Sequence, residues 1–170
     1  MPADLFWRLL TVAPDPPALF AALGGPSNDY AFLLESALAP TRLGRYSFLG
    51  VEPFLLLRSQ GSRVELSQDG RWETFNGNPF ALLKQLLRFY SVAPQRKDKG
   101  LPPFFGGAVG YFAYDLARQI EKLPVWASDD LGLPELYLCF YDLVVVIDHL
   151  TKEVALCGLP LQGVDFLLQK

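Results

Sequence analysis

Residues 30–50, YAFLLESALAPTRLGRYSFLG, end one apolar run on a carboxylate and a hydroxyl, Glu35 and Ser36. The next run opens on a guanidinium, a phenol and a second hydroxyl, Arg45, Tyr46 and Ser47. At the ends of two neighbouring strands such groups could hold a small zwitterion. Glu35 would take an ammonium group, Ser36 would offer its hydroxyl, and backbone N–H and C=O groups near Gly44, Arg45 and Tyr46 would complete the pocket. An amino acid carries the matching pair of charges. The plainer reading of the same residues is two finished strand ends, with Arg45 a surface charge paired to Glu35.

The remaining chemistry-bearing residues are sparse. His149, the single histidine, stands beside Asp148 at an expected hairpin turn, with no nucleophile placed near it in sequence. It reads as an exposed turn residue. Asp129-Asp130 has no third metal ligand at a suitable spacing, and SDDLG is ordinary turn chemistry. GGAVG at 106–110 lacks the Lys or Ser/Thr and the following helix of a phosphate loop. Glycines inside an apolar strand-like run mark a bulge or a close backbone approach instead. Cys139 and Cys157 sit in apolar runs without metal spacing and read as reduced core residues.

The elements that must position these residues follow from pattern. LFWRLLTV (5–12) reads as a strand. Asp15 before Pro16-Pro17 opens a short helix, PPALFAALGG, with an N-cap acid, proline in the first turn and glycine past the end. Residues 53–76 read as an antiparallel meander broken at Gln60-Gly61 and Asp69-Gly70. Asn78 caps a helix, NPFALLKQLLRFY, whose apolar stripe is expected at Phe80, Leu83, Leu87 and Tyr90. FFGGAVGYFAYD (104–115) is strand-like and DLARQIEKL (115–123) a short helix. LYLCFYDLVVVIDH (136–149) reads as one long strand, apolar at odd and even positions and so covered on both faces. It turns at HLTK into EVALCGL. Strands joined mostly by turns, with helices at few points, give an α+β fold of mainly antiparallel sheet.

The chain has 170 residues, enough for one sizeable domain. It is 51% hydrophobic and only 19% charged, below the roughly 25% of an average soluble domain. No run approaches the ~18 apolar residues of a membrane helix. The N-terminus lacks the basic segment of a signal peptide. The net charge is −3, and RKDK at 96–99 is the longest basic cluster, so nucleic acid is not an expected partner. With few helices to cover the sheet, an apolar face is expected to need cover from elsewhere, and the domain alone is expected to self-associate.

FLLES, GRYSFLG, PFFGGAVGYFAYDLARQIEKLP and DDLGLPELYLCFYDLVVVIDH, in this order, resemble the N-terminal region of component I of the chorismate-using synthases. These are aminodeoxychorismate (para-aminobenzoate) synthase and anthranilate synthase. The resemblance runs from about Phe6 to Cys157. It implies the N-terminal half of the component I fold, a cytoplasmic setting, and residues 1–170 as a single non-catalytic domain without the C-terminal chorismate-binding region. It also implies Mg2+ for the whole enzyme but no cofactor in this domain, and a glutamine amidotransferase subunit as partner. The family binds L-tryptophan here. The matching positions are Leu34, Glu35 and Ser36, then Leu43, Gly44, Arg45, Tyr46 and Ser47, with Ser36 hydrogen-bonding the ligand, Arg45 and Tyr46 helping to form the wall, and the remaining contacts coming from the C-terminal half. The short connection from Ser36 to Arg45 and the wording of 78–90 and 111–124 are closer to the para-aminobenzoate branch of folate biosynthesis. The anthranilate branch, with tryptophan as feedback inhibitor, is the alternative. A self-contained ligand- or protein-binding module is the alternative of another class.

Overall fold

The computed structural model describes residues 6–12, 14–35, 44–91, 102–124 and 129–158. Ser36, Leu43 and the RKDK run lie outside them. The chain forms two compact units, the first from residues 1–52, 92–107 and 142–170, the second from 53–91 and 108–141. Each is built on a five-stranded sheet with few short helices, as the residue pattern predicts.

In the first unit the strands are β1 (Phe6–Leu10), β2 (Phe32–Leu34), β3 (Tyr46–Gly50), β9 (Leu143–Asp148) and β10 (Glu153–Gly158), in the order β1-β10-β9-β3-β2. All four neighbouring pairs in it are antiparallel. Helix α1 (Pro16–Ala22) starts where the capping signal places it: Asp15 accepts from the Ala18 N–H at 3.4 Å, and two prolines fill the first turn. Its Leu19 and Phe20 pack on Leu49, Val145, Ile147 and Val154, which form the core on one face of the sheet.

The second unit orders β6 (Arg71–Asn76), β5 (Arg63–Gln68), β4 (Leu55–Gln60), β8 (Leu136–Tyr141) and β7 (Gly107–Phe112, whose first residue belongs to the other unit). The expected meander is β4-β5-β6. Gly61-Ser62 and Asp69-Gly70 are two-residue turns, and both Asp69 (φ 50°) and Gly70 (φ 75°) take the left-handed conformation that matches strand twist. Helix α2 (Pro79–Phe89) is capped by Asn78, which accepts from the N–H groups of Phe80 and Ala81 at 2.8 and 3.2 Å. Its buried stripe is Pro79, Leu83 and Leu86, with Tyr90 at the same angle; Leu87, expected on the stripe, lies about 80° round the helix and is exposed. Tyr90 reaches Phe54 and Phe140, with ring centroids 4.9 and 6.4 Å away.

Two expectations change. Residues 136–149 are two strands, not one: β8 pairs with β4 in the second unit, and after Asp142 β9 pairs with β3 and β10 in the first. Each is a central strand, buried on both faces, which is why the run shows no alternation. The expected helix at 115–123 is a 3-10 segment, Tyr114–Gln119, with one buried apolar residue, Leu116; a single buried contact does not sustain a full α-helix.

Candidate functional site

Antiparallel pairing puts opposite residues on the same face of the sheet. Tyr46 lies opposite Asp148, Phe48 opposite both Val146 and Leu34, and Phe32 opposite Gly50. One face of β2-β3-β9 therefore carries Phe32, Leu34, Tyr46, Phe48, Val146 and Asp148. Phe104 seats its ring edge-on against Phe32 and Phe48, at centroid distances of 6.2 and 5.6 Å, and Tyr46 and Phe48 are 6.0 Å apart. The result is an aromatic wall with half-exposed Leu34 and Tyr46 at its rim.

The polar end of this wall is built by three charged or hydroxyl-bearing neighbours. The Arg45 guanidinium grips Asp148 through Nε, 3.1 and 3.0 Å from the two carboxylate oxygens, and through Nη2, 2.6 Å from Oδ2. It also lies over the Tyr46 ring, 4.8 Å from the centroid. Asp148 Oδ1 accepts from the N–H groups of Leu150 and Thr151 at 2.9 and 3.3 Å, fixing the β9–β10 turn. Burial pushes the Asp148 carboxyl up, but the hydrogen bonds from Arg45 and from Leu150 and Thr151 outweigh it and hold it below the ordinary carboxylate range. The hydrogen bond to Asp148 also raises Arg45 above its ordinary value. The turn closes on Lys152 at φ 61°, a left-handed position without glycine. Lys152→Gly is expected to raise stability by about 0.5 kcal/mol, the strain relieved less the entropy glycine adds to the unfolded chain, or roughly 2 °C in Tm by calorimetry.

The sequence pairs Arg45 with Glu35; the structure pairs it with Asp148 because β3 and β9 are sheet neighbours, and Glu35 is exposed beyond the end of β2. His149 is not a free turn residue. Its Nε2 lies 2.7 Å from Ser47 Oγ, and its backbone N–H donates to Arg45 O at 2.8 Å. Ser47 and Tyr46 alternate along β3, so Ser47 faces away from the aromatic wall, with Leu49 and Ile147, and is fully buried. A serine–histidine pair is thus present, but its hydroxyl has no access for a substrate, and nucleophilic chemistry is not what it does. Among the described residues no group of three His, Cys, Asp or Glu side chains could hold a metal, and no helix is long and apolar enough to cross a membrane. Cys139 and Cys157 are free and buried, as expected. Of the tryptophan positions implied by the resemblance, Leu34, Tyr46 and the Arg45 guanidinium gather at the wall, Gly44 is buried at its end, and Ser47 lies behind it. Sequence pattern does not single out Phe32, Phe48 or Phe104; period-two alternation, Phe48 with Tyr46 in β3 and Phe32 with Leu34 in β2, is the signal that finds the first two.

No protein-family model matches the chain. It is 40% identical over 128 residues to anthranilate synthase component 1 of Acetivibrio thermocellus, covering 75% of this chain and 25% of that protein. It is 39% identical over 144 residues to anthranilate synthase component 1 of Streptomyces coelicolor, covering 85% and 24%. Against aminodeoxychorismate synthase component 1 of Escherichia coli the identity is 32% over 127 residues, covering 75% and 28%. The chain belongs to the family of these component 1 synthase proteins. It spans about a quarter of the length of the relatives it matches. The crystal structure of anthranilate synthase component I from Streptococcus pneumoniae shares the component 1 fold, with a TM-score of 0.51 over 96% of this chain and 33% of that one, at 19% identity.

Proposed function

We propose that this component 1 chain acts as the non-catalytic N-terminal domain of a chorismate-using synthase, forming one wall of an L-tryptophan site. The observation that carries the reading is the aromatic face of β2 and β3 with the Arg45–Asp148 pair at its end. An indole is matched by Phe48, Phe104 and Tyr46, and an amino-acid head group by the polar residues at the strand ends. In this reading the remaining contacts, the chorismate chemistry and the Mg2+ it uses belong to a catalytic region packed beside this domain. Ammonia comes from a glutamine amidotransferase subunit, the enzyme is cytoplasmic, and the domain alone self-associates. The para-aminobenzoate branch rests on the short Ser36–Arg45 connection. The higher identities to the anthranilate members support the second reading, a feedback site in tryptophan biosynthesis.

Calorimetric titration of L-tryptophan into the whole component 1 enzyme tests the site. Saturable binding is expected, and Ser36→Ala is expected to weaken it about tenfold, the worth of one hydrogen bond to a bound polar group. Binding unaltered by Ser36→Ala sinks the assignment. Complementation of strains lacking one or the other synthase separates the branches.

A further inference from the structure

We infer that Asp148, through Arg45, is a positioning residue for the Tyr46 ring, which makes the β9–β10 turn a determinant of ligand affinity although it contributes no wall residue. The inference rests on the reading of the β2–β3 face as a ligand wall. Four links join the start of β3 to this turn. Two are side-chain links, the forked Arg45–Asp148 pair and the Ser47 Oγ–His149 Nε2 bond; one is the His149 N–H to Arg45 O bond; the fourth is the Tyr46–Asp148 register.

These links act in a definite order. The turn holds Asp148 through the Leu150 and Thr151 N–H groups, so the carboxylate is oriented before it meets its partner. Asp148 then holds the guanidinium by two of its nitrogens, a geometry only arginine offers. The guanidinium in turn lies over Tyr46, whose ring also neighbours Phe48 at 6.0 Å. Arg45 is more than a third exposed, and an exposed arginine without such a grip would sample many rotamers and leave Tyr46 without its cover. Ser47 has a separate part: its hydroxyl is committed to His149 on the buried face, which makes it an anchor of β3 and not a ligand contact.

Three variants test this: Asp148→Asn, which keeps an acceptor for the turn N–H groups but loses the charge; Arg45→Lys, which keeps the charge but loses the fork; and the two combined. L-Tryptophan affinity is measured in the whole enzyme, and the Tyr46 ring resonances are followed by NMR in the 170-residue chain. Each single variant is expected to weaken tryptophan binding about tenfold while the unfolding midpoint moves by only a few degrees, and the double variant to bind no more weakly than either single one. Unchanged affinity, or losses that add, overturns the inference. If the wild-type enzyme binds no tryptophan, the proposed ligand falls, and the positioning role is then read from the ring. Asp148→Asn and Arg45→Lys are expected to shift the Tyr46 resonances alike; resonances identical to wild type overturn it.

Discussion

Gly110→Ala is expected to cost the second unit about 3 kcal/mol or to free strand β7 from its sheet. The glycine sits where β7 lies hard against the backbone of its sheet neighbour β8. A Cβ built there would overlap the Tyr137 carbonyl oxygen and stand 2.9 Å from both Leu138 Cα and Tyr137 C. These are backbone atoms of a central strand that is hydrogen-bonded to β4 from Leu136 to Phe140, so they cannot turn aside as a flexible side chain would. β7 is at the end of the sheet order, and it is the strand that must give way. Overpacking of this kind costs roughly 1–3 kcal/mol and more when backbone has to move. Detaching β7 would also separate the Tyr111–Tyr137 stack at 6.2 Å and the Phe80–Phe112 stack at 6.5 Å. Gly77→Ala is the control, because a Cβ there meets nothing within 4 Å. It is expected to be neutral or to stabilise by about 0.5 kcal/mol through the unfolded chain. Urea denaturation of the two variants decides the matter: equal midpoints would show that β7 does not approach β8 as described.

The GGAVG segment was legible in this respect because a strand that needs glycine says so locally. The same holds for the Asp69-Gly70 turn and the caps at Asp15 and Asn78, whose chemistry lies within three residues of its effect. What the sequence hid is long-range. Asp142, the one charged residue in LYLCFYDLVVVI, is the sole mark of the point where a run of chain leaves one sheet for another. No glycine or proline accompanies it, and both strands are central, so the apolar pattern resumes directly after that single residue. The partner of Arg45 is 103 residues away, and that of Ser47 is 102 away. Only the pairing of β3 with β9 creates them, and that pairing depends on the Asp142 crossover. The nearest acid in sequence to the start of β3, Glu35, was the natural partner by proximity, and the sheet overrode it. Face alternation was legible in principle: it separates Tyr46 and Phe48 from Ser47 and divides the implied tryptophan positions between the aromatic face and the buried face of β3.

Tyr90→Phe is expected to leave the protein as stable or about 1 kcal/mol more stable at pH 7, and to change its alkaline limb. The Tyr90 hydroxyl is buried at the end of α2 against Phe54 and Phe140, with no hydrogen-bond partner among the described residues. A buried hydroxyl left unpaired costs roughly 1–3 kcal/mol, and phenylalanine keeps the ring contacts while removing the penalty. Burial pushes the Tyr90 phenol up from 10.0 to about 12. It raises Tyr141 and Cys139 in the same unit too, and in the first unit Cys157 from 9.0 to about 12. For all four the folded state keeps its proton after the unfolded chain has released it. Their contribution is therefore complete below the unfolded values, near pH 9 for the thiols and pH 10 for the phenols, and is lost as pH rises through the folded ones. Between its unfolded and folded values each such group steepens the loss by about 1.4 kcal/mol per pH unit, so the two phenols of the second unit, Tyr90 and Tyr141, together remove about 3 kcal/mol per unit just above pH 10. Tyr90→Phe should remove the Tyr90 increment between pH 10 and 12 and shift the alkaline midpoint upward. Denaturant melts across that range measure the slope directly. A variant less stable at pH 7 would mean that the hydroxyl has a partner, and an unchanged alkaline slope would mean that the phenol ionises as freely in the folded protein as in the unfolded chain.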